Sequence, residues 1–173
     1  MVETLAPAIT GTIEDLAHNV LRRACEWKLT LATAESCTGG MLAEHLTHLA
    51  GSSNYFLGGV VCYSNQMKTA LAGVPASLIE AKGAVSAEVA SALADGIRKS
   101  AAATIGIGIT GIAGPGGGTP EKPVGTVFIA LATAEQVEVK KLLNVWERAT
   151  FKQVTATQAL EWLRQRLSAP VSA

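Results

Sequence analysis

The segment from Leu29 to Leu49 constrains this chain most, because an apolar run, an octapeptide of small and polar residues and a helical pattern follow one another directly. Leu29 to Ala32 has strand length. Met41 to Leu49 places Leu42, Leu46 and Leu49 on one helical stripe. The intervening Thr33-Ala-Glu-Ser-Cys-Thr-Gly-Gly40 therefore lies where a buried strand ends and a helix begins, with Ser36 in the turn. A hydroxyl there stands beside helix N-terminal N–H groups, which suit a phosphate or the oxyanion formed when a hydroxyl attacks a carbonyl. The same residues also fit a structural role, with Ser36 and Thr38 as helix N-caps.

The rest of the chain alternates similarly. Thr12 opens a helical pattern with Ile13, Leu16, Val20 and Leu21 on one face and Glu14 and Asp15 in its first turn. Phe56 to Tyr63 reads as a second strand, followed by a short helix to Leu71 that Gly73-Val-Pro75 stops. Ser86 caps a helix through Ala101, and Thr104 to Ile109 is a third strand. Val124 to Ala132 and Val137 to Val145 read as an antiparallel hairpin. Thr150-Phe-Lys-Gln153 matches a capping box for the last helix, with Val154, Leu160, Leu163 and Leu167 facing inward. This order predicts an α/β fold: one three-layer α/β/α domain over residues 1–173, on a mixed, mostly parallel sheet of about five strands.

Charge and cysteine usage narrow the function. With 14 basic and 14 acidic residues and no Lys/Arg run, the chain lacks the positive field of a nucleic-acid binder. Its three cysteines are scattered and form no CxxC pair, which suits reduced thiols and a cytoplasmic location. Met1 to Thr10 has no signal-peptide pattern and no apolar stretch reaches membrane-spanning length, so a membrane partner is not expected.

Several motifs invite chemistry. Gly106-Ile-Gly-Ile-Thr-Gly111 satisfies GxGxxG, but two of its glycines lie inside the apolar run, so no Rossmann cofactor is predicted. Gly114-Pro-Gly-Gly-Gly-Thr-Pro120 lacks the Gly-Lys-Ser/Thr ending of a Walker loop. Backbone N–H groups of such a Gly-rich loop at a strand end suit anionic oxygens, against the alternative of an ordinary flexible connection. Tyr63 and Lys68 follow the second strand, on the sheet edge that carries Ser36 and Thr110 if the strands run parallel. A desolvated lysine there acts as a base, whereas a solvated one is only surface. Cys37 is the rival nucleophile. His45 and His48 lie one helical turn apart, but Glu44 is expected on another face, so no metal site is predicted. His18 offers no partner for a Ser-His-acid triad.

Taken together, the motifs resemble the C-terminal domain family of the competence and damage-inducible protein CinA, which includes stand-alone nicotinamide mononucleotide amidohydrolases. The resemblance rests on Ala34-Glu-Ser-Cys-Thr-Gly-Gly40, Gly59-Val-Val-Cys-Tyr-Ser64 with Lys68, Gly83-Ala-Val-Ser86, Thr110-Gly-Ile-Ala-Gly-Pro-Gly-Gly117 and Pro123-Val-Gly-Thr126. It runs from about Thr12 to Leu167. It implies hydrolysis of the nicotinamide mononucleotide carboxamide to nicotinate mononucleotide and ammonia, a salvage step, without a metal or other cofactor. Ser36 is then the nucleophile, with Tyr63 and Lys68 activating it and carrying the proton. Thr38, Gly39, Gly40, Thr110, Gly111, Gly114, Gly116, Gly117 and Arg148 would hold the nucleotide.

One departure stands out. Where the resemblance leads one to expect Gly-Asp-Arg-x-x-Ile-Arg, this chain has Val145-Trp-Glu-Arg-Ala-Thr-Phe-Lys152. Arg148 keeps the first arginine, whereas Lys152 replaces the second with a point charge that cannot form a bidentate fork. Larger family members also carry an N-terminal domain resembling molybdopterin-binding proteins, for which these residues show no counterpart. A homo-oligomer, most simply a dimer, is expected. The rival readings are a non-catalytic nucleotide- or partner-binding module linked to competence or DNA damage, and a hydrolase of the same mechanism acting on another amide.

Overall fold

The computed structural model describes residues 11–168, so the reading of Met1 to Thr10 lies outside the described residues. Helix α1 (Ile13–Glu26) starts from Thr12, which forms a reciprocal capping box with Asp15. There follow β1 (Leu31–Glu35), α2 (Met41–Thr47), β2 (Phe56–Val61), α3 (Asn65–Ala72), α4 (Ala76–Lys82), α5 (Ala87–Ser100), β3 (Ile105–Gly111), β4 (Thr126–Ala132), β5 (Val137–Leu143) and α6 (Arg148–Arg166).

The strands form one sheet in the order β2-β1-β3-β4-β5. β1 pairs in parallel with β2 and β3, while β4 pairs antiparallel with β3 and β5, so β4 alone of these five runs against the rest. The sheet is mixed and mostly parallel. Helices α1, α2 and α6 cover one face, over a core that includes Leu16, Leu42, Ile107, Ile129, Phe151 and Leu160. Helices α3, α4 and α5 cover the other, over Ala32, Ala34, Val89 and Leu93.

The glycines of the GxGxxG-like segment serve this packing. A Cβ on Gly106 would lie 2.1 Å from the Ala94 carbonyl oxygen, and one on Gly108 would lie 2.4 Å from that of Ala90. Helix α5 thus rests directly on the β3 backbone, which only glycine allows.

Several elements depart from the sequence reading, including strand ends such as β1 at Leu31, β2 at Val61 and β5 at Leu143, and three departures have a physical reason. Strand β1 extends past Ala32 to Glu35, because Thr33, Ala34 and Glu35 pair with both β2 and β3 and all five residues are buried. Helix α4 was not predicted, since seven residues starting after Pro75 are too few to show a helical period. Helix α6 begins at Arg148 from Glu147, so the Thr150 capping box does not form; buried Phe151 already sits in its first turns, bonded through its N–H to the Glu147 carbonyl at 2.8 Å.

Candidate active site

Parallel pairing brings the carboxyl ends of β1, β2 and β3 to one edge of the sheet, where ligands of open α/β sheets bind. Ser36 leaves β1 with its N–H bonded to the Ile109 carbonyl at 3.0 Å, which ties the turn to β3. Beyond β2, Ser64 caps α3 by accepting the Met67 N–H. That start sets Lys68 on the inward face of α3. Its side chain is 2 % exposed and reaches back across the strand ends.

The Lys68 Nζ donates to Ser36 Oγ at 2.9 Å, to the Cys62 carbonyl at 3.1 Å and to the Tyr63 carbonyl at 3.2 Å. Burial pushes the Lys68 ammonium below the ordinary lysine range, opposed in part by the Cys62 and Cys37 thiols. Ser36 is itself buried. The geometry therefore pairs a hydroxyl with an amine that gives up its proton more readily than a solvated lysine. The rival cysteine is in the opposite condition: burial pushes the Cys37 thiol up to about 12, so it stays protonated and weakly nucleophilic.

Ser36, Cys37, Tyr63, Asn65, Lys68, Thr110, Gly111 and Arg148 line a cavity of about 190 Å³, with Ala84, Val85 and Ala113 completing its wall. Thr110 does not point a free hydroxyl into it; Oγ1 donates to the Ala84 carbonyl at 2.7 Å and holds the loop before α5 in place. The Tyr63 side chain is exposed, and its hydroxyl accepts a hydrogen bond from Arg148 Nη2. Arg148 Nη1 also donates to the Gly114 carbonyl at 3.0 Å. Tyr63 thus touches Lys68 through its carbonyl and Arg148 through its phenol.

Similarity to known proteins agrees with this architecture. The family model of the CinA C-terminal domain matches residues 13–167. The chain belongs to that family. It is 54% identical over 140 residues to a CinA-like protein of Geotalea daltonii, covering 81% of this chain and 34% of the relative. It is 48% identical over 168 residues to a putative competence-damage inducible protein of Moorella thermoacetica, covering 96% and 41%. The chain therefore spans less than half the length of these curated relatives. Among solved structures it is similar to the competence damage-inducible protein A of Klebsiella pneumoniae, with TM-score 0.88 and 32% identity over 91% of this chain and 98% of that one. A competence/damage inducible protein of Agrobacterium tumefaciens gives TM-score 0.86 and 36% identity over 96% and 100%.

The CinA motifs are not all gathered in one place. Thr38, Gly39 and Gly40 line a separate, larger cleft of about 440 Å³ with Met41, Glu44, His45, Lys152 and Gln153. Gly39 and Gly40 both have positive φ, and Lys152 Nζ lies 3.4 Å from where a Gly39 Cβ would stand. Gly116 and Gly117 lie exposed on the outer part of the Gly-rich loop, away from the Ser36 cavity, while Gly114 meets it only through Arg148. Glu44 does not face away from the histidines as expected. It lies 3.2 Å from His45 Nδ1 and 3.7 Å from His48 Nδ1, because Glu44 and His48 are one helical turn apart. Among the described residues no group of three or more His, Cys, Asp or Glu side chains is placed to hold a metal ion.

The sequence reading places the start of α2 at Met41, as observed, but misses what caps it. Neither Ser36 nor Thr38 caps it; the N-cap is Gly40, which has no side chain to offer. The Leu42 and Ala43 N–H groups instead donate to Glu35, at 3.1 and 2.8 Å, so they are not free for a substrate anion. The readable signal was a helix whose cap position holds only glycine, preceded by an acid within reach.

Proposed function

We propose that this chain hydrolyses the carboxamide of nicotinamide mononucleotide, releasing ammonia and nicotinate mononucleotide, with Ser36 as nucleophile and Lys68 as its base. The observation that carries the reading is the Lys68 Nζ to Ser36 Oγ contact at 2.9 Å within a buried site. A neutral lysine amine has two N–H donors and one lone pair. With the Cys62 and Tyr63 carbonyls taking the two donors, the lone pair faces Ser36 Oγ. Ser36 then gives its proton to Lys68 as Oγ bonds to the carboxamide carbon. The C–N bond breaks, the amide nitrogen leaves as ammonia with the proton from Lys68, and water resolves the acyl-serine with the same lysine as base.

Size and charge support the choice of substrate class. A cavity of about 190 Å³ is smaller than the ~300–1,000 Å³ of sites that enclose a whole ligand, so it suits the carboxamide-bearing ring, with the remainder extending past the rim. Arg148 stands at that rim, and its guanidinium suits the ribose phosphate. The substrate itself is inferred from the family resemblance.

The test is ammonia release from nicotinamide mononucleotide by purified protein, with and without a metal chelator. Ser36→Ala should abolish it, by on the order of 10⁴-fold or more, while the fold survives. Full activity in Ser36→Ala would remove the nucleophile assignment. A wild-type protein inert toward the nucleotide would remove the substrate.

A further inference from the structure

Among the buried ionisable groups that the proposed chemistry leaves unused, Glu35 stands next to the nucleophile. Glu35 is fully buried at the end of β1, directly before Ser36. Its Oε2 accepts from Thr38 Oγ1 at 2.6 Å and from the Leu42 N–H at 3.1 Å, and its Oε1 accepts from the Ala43 N–H at 2.8 Å. A carboxylate taken from water is costly unless such donors replace its hydration.

We propose that Glu35 is a positioning residue for Ser36: a buried acceptor that caps α2 from the strand side and, through Thr38, sets the turn carrying the nucleophile against Lys68. This rests on the reading of Ser36 and Lys68 as nucleophile and base. Upstream, the turn is fixed by the sheet. Glu35 pairs with Val61 of β2 and Ile109 of β3, its carbonyl accepts the Cys62 N–H at 2.9 Å, and the Ser36 N–H bonds Ile109. Downstream the hold of the sheet is weaker: the Gly39 N–H closes back on the Ser36 carbonyl at 3.1 Å, Gly39 and Gly40 have left-handed backbones, and α2 has only seven residues. A helix that short does not stand without external contacts. Beside the burial of Leu42 and Leu46, the Glu35 carboxylate supplies the polar anchor at the start of α2, so only Ser36 and Cys37 separate the residue that is held from the Thr38 hydroxyl that holds it.

Glu35→Gln keeps the volume, but its amide has one acceptor oxygen and one NH₂. If the oxygen faces Leu42 and Thr38, the NH₂ meets the Ala43 N–H; if it is flipped, the NH₂ meets the Leu42 N–H. One donor opposes another in either orientation. Thr38→Val removes the side-chain strut alone, and Thr38→Ser restores it.

The experiment reads Ser36 directly with a fluorophosphonate, followed by intact mass and site mapping. Ser36 Oγ bonds to phosphorus, fluoride leaves and the hydroxyl proton passes to Lys68, so the assay does not depend on the natural substrate. Glu35→Gln should slow labelling about a hundredfold, the effect of roughly an ångström of misplacement. Thr38→Val should slow it in the same direction, with Thr38→Ser close to wild type; this pair carries the test if Glu35→Gln does not fold. Leu46→Ala, which opens the buried face of α2 away from the turn, should lower the Tm and leave labelling per folded molecule unchanged. Wild-type labelling rates in both Glu35→Gln and Thr38→Val would overturn the proposal. So would equal slowing in Leu46→Ala at matched Tm, which would make the effect general destabilisation. Labelling of the wild type without ammonia release would sink the nucleotide reading and leave the Glu35 claim standing; no labelling of the wild type sinks both the nucleophile and its positioning.

Discussion

Two cavities meet the turn from Ser36 to Gly40, one through Ser36 and Cys37 and the other through Thr38, Gly39 and Gly40, and they differ in what encloses them. The smaller holds Ser36 and Lys68, both buried, with Thr110 and Cys37 in its wall and Arg148 at its rim. The larger is floored by Gly39 and Gly40 and bounded by Glu44, His45, Lys152 and Gln153, side chains that retain contact with solvent. Lys68 and Lys152 make the contrast concrete. Burial lowers the proton affinity of Lys68 and three acceptors fix its amine, whereas Lys152 packs beside a glycine turn. Enclosure, more than volume, is what turns a lysine into a base.

The comparison breaks first at Lys68. Lys68→Arg keeps a cation but cannot lose a proton, so the rate should fall by about 10²–10⁴-fold. In the wild type the rate should rise with pH through a midpoint below the ordinary lysine value of 10.5, since the neutral amine is the active form; in Lys68→Arg that limb should vanish. Because the folded state disfavours the proton, Lys68 is a cost below its folded pKa, relieved as pH rises toward the unfolded value. A pH–rate profile unchanged in Lys68→Arg would reduce Lys68 to a structural lysine.

Arg148 tests the rim of the smaller cavity. Arg148→Ala should raise KM for nicotinamide mononucleotide about 10–100-fold, the worth of charge-assisted hydrogen bonds to phosphate, with a smaller change in kcat. Nicotinamide riboside, which lacks the phosphate, should be a poor substrate for the wild type, and Arg148→Ala should narrow the gap. Equal losses with both compounds would make Arg148 a structural tie between Tyr63 and Gly114 instead.

The smallest effect is expected in the larger cleft. Lys152→Ala should change KM and kcat by less than about threefold, as for a side chain outside the reacting site. A tenfold rise in KM for the nucleotide, absent with the riboside, would join the two cavities into one extended site and restore to Lys152 a share of phosphate binding.

Much of the fold was legible because its signals are local. The stripe of Leu42 and Leu46, the Thr12 and Ser86 caps and the β-branched hairpin after Pro123 depend on neighbours within a turn or two. The α6 start and helix α4 were misread because buried Phe151 and the short Ala76–Lys82 segment take their conformation from packing, not from a cap or a period. The strand–serine–helix turn was visible, yet the residue that caps α2 was not, since Glu35 belongs by pattern to the strand before it.

By itself, then, the sequence determined the order of elements, the α/β class and the identity of Ser36 and Lys68 as candidates, because periodicity, caps and motif spacing are properties of adjacent residues. Tertiary structure alone decided which candidates meet. Lys68 reaches Ser36 across 32 positions and Arg148 reaches Tyr63 across 85. Thr38 turns its hydroxyl to Glu35, and Gly39 and Gly40 face the cleft of Lys152. Which side of a turn a residue faces, and how far a lysine is withdrawn from water, depend on the strands and helices packed around it, and no local pattern encodes that environment.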